Sequence, residues 1–106
     1  MWDIQFYKGV EKELLGLPVY IQARMLRLLD LMETHGANLG QPHTLPLGNE
    51  LFELRAKAKE GIGRALFCYA QGKQIYILHV FVKKSQKTPK QALNLAYKRL
   101  KDIQNG

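Results

Sequence analysis

The sequence predicts a single α+β domain with element order β-α-α-β-β-β-α: a mainly antiparallel sheet, an N-terminal helical hairpin and a C-terminal helix. Three observations predict it. Apolar residues recur at helical spacing over residues 7–35 and again from Leu93 to Ile103. Between them, three runs from Leu51 to Val82 are rich in apolar, aromatic and β-branched residues and are separated by glycine-bearing turns. A chain of 106 residues has room for one modest core, so residues 1–106 read as one domain.

Each element has its own signal. Trp2, Ile4 and Phe6 alternate with Asp3 and Gln5, the pattern of a strand with one buried face. Val10, Leu14 and Leu15 then form a helical stripe, and Gly16-Leu17-Pro18 interrupts it. Pro18 suits the first turn of a second helix, with Ile21, Met25, Leu28, Leu29 and Met32 on one face and Gly36 placed to end it. Residues 36–49 carry Gly36, Gly40, Pro42, Pro46 and Gly48 and read as a loop. Strands follow at Leu51 to Lys57, Arg64 to Ala70 and Ile75 to Val82, joined by Glu60-Gly61-Ile62-Gly63 and Gln71-Gly72-Lys73 into a meander. Thr88-Pro89-Lys90-Gln91 reads as a capping box opening the last helix. One sheet face is expected under the helices, leaving the other open for a ligand.

Composition narrows the function classes. Apolar content of 46% suits a globular chain, and no apolar run approaches a membrane span. The N-terminus has neither a basic nor an apolar leader region, and the lone Cys68 has no partner for an internal disulfide. These features favour a reducing, cytoplasmic setting, without structural zinc. Net charge is +7, unevenly spread: residues 1–54 hold four Lys/Arg and seven Asp/Glu, and residues 55–101 hold twelve Lys/Arg and one acid, Glu60. A field of that kind attracts polyanions, RNA among them.

No metalloprotease, serine-hydrolase or phosphate-loop motif occurs. His35, His43 and His79 form no spaced pair, and His79, alternating with Ile77 and Phe81, reads as a hydrogen-bonded interior residue. The cations are more telling. Arg55 and Lys57 share a strand face, Arg64 opens the next strand, and Lys83, Lys84 and Lys87 follow the third. A meander brings them onto one surface, where Arg grips phosphate bidentately and Lys acts as a point charge. Arg64 also begins an otherwise apolar strand, with no partner evident nearby in sequence. Tyr69, with Phe67 and Tyr76, offers either a stacking platform for bases or ordinary sheet packing.

The segments Leu51-Phe52-Glu53-Leu54-Arg55, Arg64-Ala65-Leu66-Phe67-Cys68-Tyr69 and Leu78-His79-Val80-Phe81-Val82-Lys83-Lys84-Ser85-Gln86-Lys87-Thr88-Pro89 resemble the phage-derived Gp49-like branch of HigB toxins, within the RelE/ParE superfamily. The resemblance implies a RelE-like fold and a type II toxin–antitoxin toxin: an endoribonuclease that cuts mRNA on the ribosome by metal-independent attack of a ribose 2′-OH on the adjacent phosphodiester. It implies Arg64, Lys83 and Lys84 as catalytic residues, with Arg64 stabilising charge on the phosphate, and Tyr97 as the nearest match to a tyrosine near the chain end. By resemblance and position, Arg55, Lys57, Lys87 and Tyr69 would contact RNA. The implied partners are a helix-turn-helix, HigA-like antitoxin, the ribosome and mRNA, with no cofactor. Two alternatives share the fold: a ParE-like gyrase inhibitor that binds without catalysis, and a non-toxic phage-derived adaptor.

Overall fold

A computed structural model describes residues 1–36, 39, 40, 42–83 and 88–106, with Lys83 by its backbone alone. The chain runs β1 (Asp3–Phe6), α1 (Val10–Leu15), α2 (Val19–His35), β2 (Thr44–Gly48), β3 (Leu51–Ala58), β4 (Gly61–Ala70), β5 (Gln74–Lys83) and α3 (Lys90–Asn105). Five strands form one sheet in the order β1-β5-β4-β3-β2. β1 pairs with β5 in parallel, and the other neighbours are antiparallel. Among the described residues no helix is long and apolar enough to cross a membrane.

The predicted meander is β3-β4-β5, and the hairpin is α1-α2. The expected loop at residues 36–49 is corrected: its second half is a strand, β2. Pro46 masked it in the sequence. Proline removes a ladder donor and is confined to edges or bulges, and β2 is the edge strand, with its register shifting between Pro46 and Gly48.

The hairpin covers one sheet face. Val10, Leu14, Ile21, Met25, Leu28 and Met32 pack on Leu54, Ala56, Ala65, Phe67, Ile75 and Ile77. Gly63 lets α2 approach β4, because a Cβ there would sit 2.4 Å from Ile21 Cγ2. Gln22 donates to the Leu14 and Leu15 carbonyls and so closes the end of α1. At the start of α2, Glu60 in the β3–β4 turn accepts from the backbone N–H groups of Tyr20 (3.0 Å) and Ile21 (2.9 Å). This acid therefore caps a helix distant in sequence, where a negative charge also suits the helix dipole. Glu60→Ala is expected to lower stability by about 1–2 kcal/mol, read as a lower urea midpoint at unchanged slope.

The second face is not wholly open, a second correction. α3 lays Ala92, Ala96 and Leu100 over Leu51, Leu66, Cys68 and Leu78. Its N-terminus also departs from the expected capping box: the helix has no side-chain cap, and Thr88 Oγ1 instead donates to Glu53 at 2.7 Å. A buried carboxylate is the stronger acceptor for that hydroxyl.

Burial under α3, with Glu50 nearby, pushes the Cys68 thiol up to about 11 from the ordinary 9.0. Native Cys68 is therefore expected to resist iodoacetamide at pH 8 and to react once the chain is unfolded in urea, measured by mass spectrometry. The unfolded chain loses this proton near pH 9 and the folded chain near 11, so the contribution to stability declines as pH rises through that window.

One irregularity shapes the rest of β5. Leu66 pairs with His79 and Phe67 with Ile77, so Leu78 is the inserted residue of a bulge. The bulge shifts the alternation: Ile75, Ile77 and Val80 all face the hairpin, and Leu78 faces α3. Its exposed backbone groups are taken by side chains, with Glu13 accepting from Val80 N–H at 2.9 Å and Arg99 donating to the Leu78 carbonyl at 2.6 Å. His79, expected as an interior residue, is half-buried, and it shares its surroundings with Phe81 rather than Ile77. Its ring stacks on Phe81, and Nδ1 lies 3.0 Å from Glu13 Oε1.

Candidate active site

The sheet register brings the predicted cations together. Arg55 on β3 pairs with Arg64 on β4, which pairs with Phe81 on β5. One row further, Lys57 pairs with Ile62 and Ile62 with Lys83. Residues paired across strands share a face, so Arg55, Arg64 and Phe81, with Lys57 and Ile62, lie on the α3 side of the sheet. With strands about 4.8 Å apart, the backbones of Lys57 and Lys83 are about 10 Å apart across β4. Because Thr88 is tied to Glu53, α3 begins beside the Glu53 row, and the two cationic rows lie beyond its start. Lys57 is exposed there, and Arg55, Ile62 and Phe81 are half-buried.

Glu53 organises this end of the sheet. It is fully buried on the same face as Arg55, two residues away. Arg55 Nε donates to its Oε1 at 2.6 Å, while Arg64 Nη1 lies 3.4 Å from Oε2, where Thr88 also donates. A buried carboxylate between two guanidinium groups compensates charges that would otherwise be costly inside a protein. Arg64 thus has the partner that sequence reading missed, and its side chain is 0% exposed. The Arg55 side chain keeps 25% of its surface in solvent. The described structure therefore places Arg55, not Arg64, at the surface. Glu53 was legible in one respect only: it stands in register with Arg55 in an alternating strand.

Tyr69 does not join the cluster. It sits five residues from Arg64 toward the opposite end of β4, which is about 17 Å along a strand. There its ring packs near Trp2 (5.5 Å between centroids) and Phe52 (5.3 Å), and the residue keeps 39% of its surface exposed. Desolvation raises the pKa of its hydroxyl. Phe67 lies in the hairpin-side core, opposite Arg64, as the alternation predicts. Tyr97 donates to the Gly48 carbonyl at 3.2 Å beneath α3, away from the cationic rows. Lys84 and Lys87 lie outside the described residues. Among the described residues, no group of three His, Cys, Asp or Glu is placed to hold a metal ion.

Residues 12–101 match the family described as phage derived protein Gp49-like (DUF891). The chain belongs to this family. No curated protein matches this Gp49-like chain. Solved structures do. A chain of the archaeal RelE–RelB complex from Pyrococcus horikoshii OT3 is similar over 81% of this chain and 98% of its own, at 22% identity and a TM-score of 0.58. A chain of the toxin–antitoxin complex RelBE2 from Mycobacterium tuberculosis is similar over 77% and 98%, at 19% identity and a TM-score of 0.57. A mutant of the E. coli toxin RelE in the free state is similar over 93% and 97%, at 13% identity and a TM-score of 0.67. The Gp49-like chain therefore has the RelE fold, the expected α+β architecture.

Proposed function

We propose that this Gp49-like protein is the toxin of a toxin–antitoxin pair and acts as a ribosome-dependent endoribonuclease on mRNA. The observation that carries the reading is the alignment of Arg55, Lys57 and the Lys83 backbone across three strands beyond the start of α3, on a fold shared with RelE toxins. A sugar–phosphate chain crossing those rows meets the positive charges of the Arg55 guanidinium, held by Glu53, and of Lys57.

The reaction we assign is in-line attack of a ribose 2′-oxygen on the adjacent phosphorus. The new O–P bond forms as the bond to the 5′-oxygen breaks, giving a 2′,3′-cyclic phosphate and a 5′-hydroxyl. The 2′-OH proton goes to a base, and the leaving oxygen takes one up. Arg55 and Lys57 neutralise charge on the phosphate, the largest electrostatic contribution such a site offers. Arg64 supports them from inside the sheet by fixing Glu53, and through it the Arg55 guanidinium. Lys83 and Lys84 remain the residues assigned to proton transfer, with Lys87 assigned to RNA binding. The proposed antitoxin is a helix-turn-helix, HigA-like partner encoded nearby, and the proposed site of action is the cytoplasm.

Primer extension on mRNA after induced expression tests the reading. Discrete cuts within translated codons, absent when translation initiation is blocked, are the expected result. Intact mRNA with DNA damage would replace it with the ParE-like reading, and unchanged growth with the adaptor reading.

A further inference from the structure

We infer that a cleft beside the cationic rows is a subsite for one flanking nucleotide of single-stranded RNA, with Arg24 as its phosphate-binding residue. The inference rests on the RNA reading above and names a part of the surface that neither the motifs nor the family match assign. β2 begins at Thr44, paired with Leu54, while β3 runs on to Ala58, so the far part of β3 lies beyond the β2 ladder. There Arg24 from α2, Arg55 and Lys57 from β3, Ile62 from β4, and Pro42 and His43 enclose a cleft of about 420 Å³.

Its chemistry is that of a nucleotide site. Arg24 and Lys57 are exposed and Arg55 is half-buried, so three cations from two elements border one space. The His43 ring, the Pro42 ring and Ile62 add flat or apolar surfaces suited to a base. One wall is already built. Gly40, at φ +74, turns the chain so that its carbonyl accepts from the N–H groups of His43 (2.9 Å) and Thr44 (3.0 Å). Thr44 Oγ1 accepts from Gly40 N–H at 2.9 Å, and the His43 carbonyl accepts from Arg55 N–H at 2.8 Å. These bonds pin His43 beside Arg55 before any ligand arrives, which lowers the ordering cost of binding. Arg55 and Lys57 border both the cleft and the cationic rows, so an RNA strand gripped at the rows continues into it.

The test uses the whole protein, a fluorescein-labelled single-stranded oligoribonucleotide made uncleavable by 2′-O-methylation, and a poly-glutamate peptide of equal charge. Arg24→Ala is expected to weaken RNA binding about 10-fold at low salt and to reduce the slope of log Kd against log salt by about 0.7, one phosphate contact on a single strand. Arg24→Lys should restore the slope. His43→Ala should alter the ranking of poly-A, poly-U and poly-C while leaving the slope unchanged. No measurable RNA binding by the wild type, an unchanged slope in Arg24→Ala, or equal loss of RNA and poly-glutamate binding overturns the subsite. The ribosomal cleavage assay separates the two readings. A wild type that binds RNA with the Arg24-dependent slope but cleaves nothing sinks the endonuclease and leaves the subsite standing. An Arg24→Ala protein that cleaves with wild-type kcat/KM and an unchanged cut pattern sinks the subsite alone.

Discussion

Glu53→Ala is expected to cost about 3–5 kcal/mol of folding stability, the range for removing one partner of a buried ion pair. The cause is what remains. Arg64 is fully buried and would lose this carboxylate, while Thr88 would lose the acceptor that ties down the start of α3. A loss of that size is a large share of the roughly 5–15 kcal/mol that holds a typical domain together. Urea denaturation followed by circular dichroism checks it, and a midpoint within experimental error of the wild type would show that Glu53 does not carry Arg64. The double variant Glu53→Leu with Arg64→Met should recover much of the loss, because apolar groups of similar size have no charge to compensate. Comparing Glu53→Leu alone and Arg64→Met alone with the double variant isolates the coupling between the two charges. The double variant should nevertheless cleave poorly, since Arg55 would no longer be held at 2.6 Å from a carboxylate.

Much of the fold could be read from the sequence, because most of its elements obey a single local rule. The stripe Ile21, Met25, Leu28, Leu29 and Met32 is buried as a helical period demands, and the β3-β4-β5 meander forms, but its first turn is only Lys59-Glu60: Gly61, Ile62 and Gly63, expected in that turn, are the first paired residues of β4, which puts Arg64 within the strand and not at its start. The misreadings came where two rules competed. Pro46 argued for a loop, but an edge strand tolerates proline, and β2 formed. Thr88 had the position of a helix cap, but a buried carboxylate from β3 claimed its hydroxyl. The Leu78 bulge broke an alternation that had paired His79 with Ile77, and nothing local announces an inserted residue in an apolar run.

The candidate site was legible as a charge pattern and not as a geometry. Counting cations by strand identified Arg55, Lys57, Arg64 and Lys83 as neighbours, and the register agrees. Which of them meets solvent depends on Glu53, eleven residues before Arg64 and on another strand. Sequence spacing does not reveal that pairing. It inverts the expected emphasis, placing Arg64 within the sheet and Arg55 at its surface. Tyr69 lies apart for a related reason: residue type suggests stacking, but its place along β4 sets it about 17 Å from Arg64.

The second large effect is expected in catalysis. Lys57→Ala should lower ribosome-dependent cleavage about 100- to 1,000-fold, the usual loss when one charge-stabilising donor is removed from a transition state. Thermal unfolding should stay near that of the wild type, because Lys57 is exposed and packs into neither core cluster. Arg55→Ala should show a comparable loss of cleavage together with some loss of stability, because its Nε also contacts Glu53. That contrast separates a residue that only meets substrate from one that also completes the buried network. Lys57→Arg then divides binding from chemistry. It retains the charge, so KM should return close to the wild-type value. A kcat that returns with it assigns Lys57 an electrostatic role, and a kcat that stays low assigns proton transfer to the Lys57 amine in place of Lys83 or Lys84. Wild-type cleavage by Lys57→Ala at every substrate concentration would remove the exposed row from the mechanism altogether.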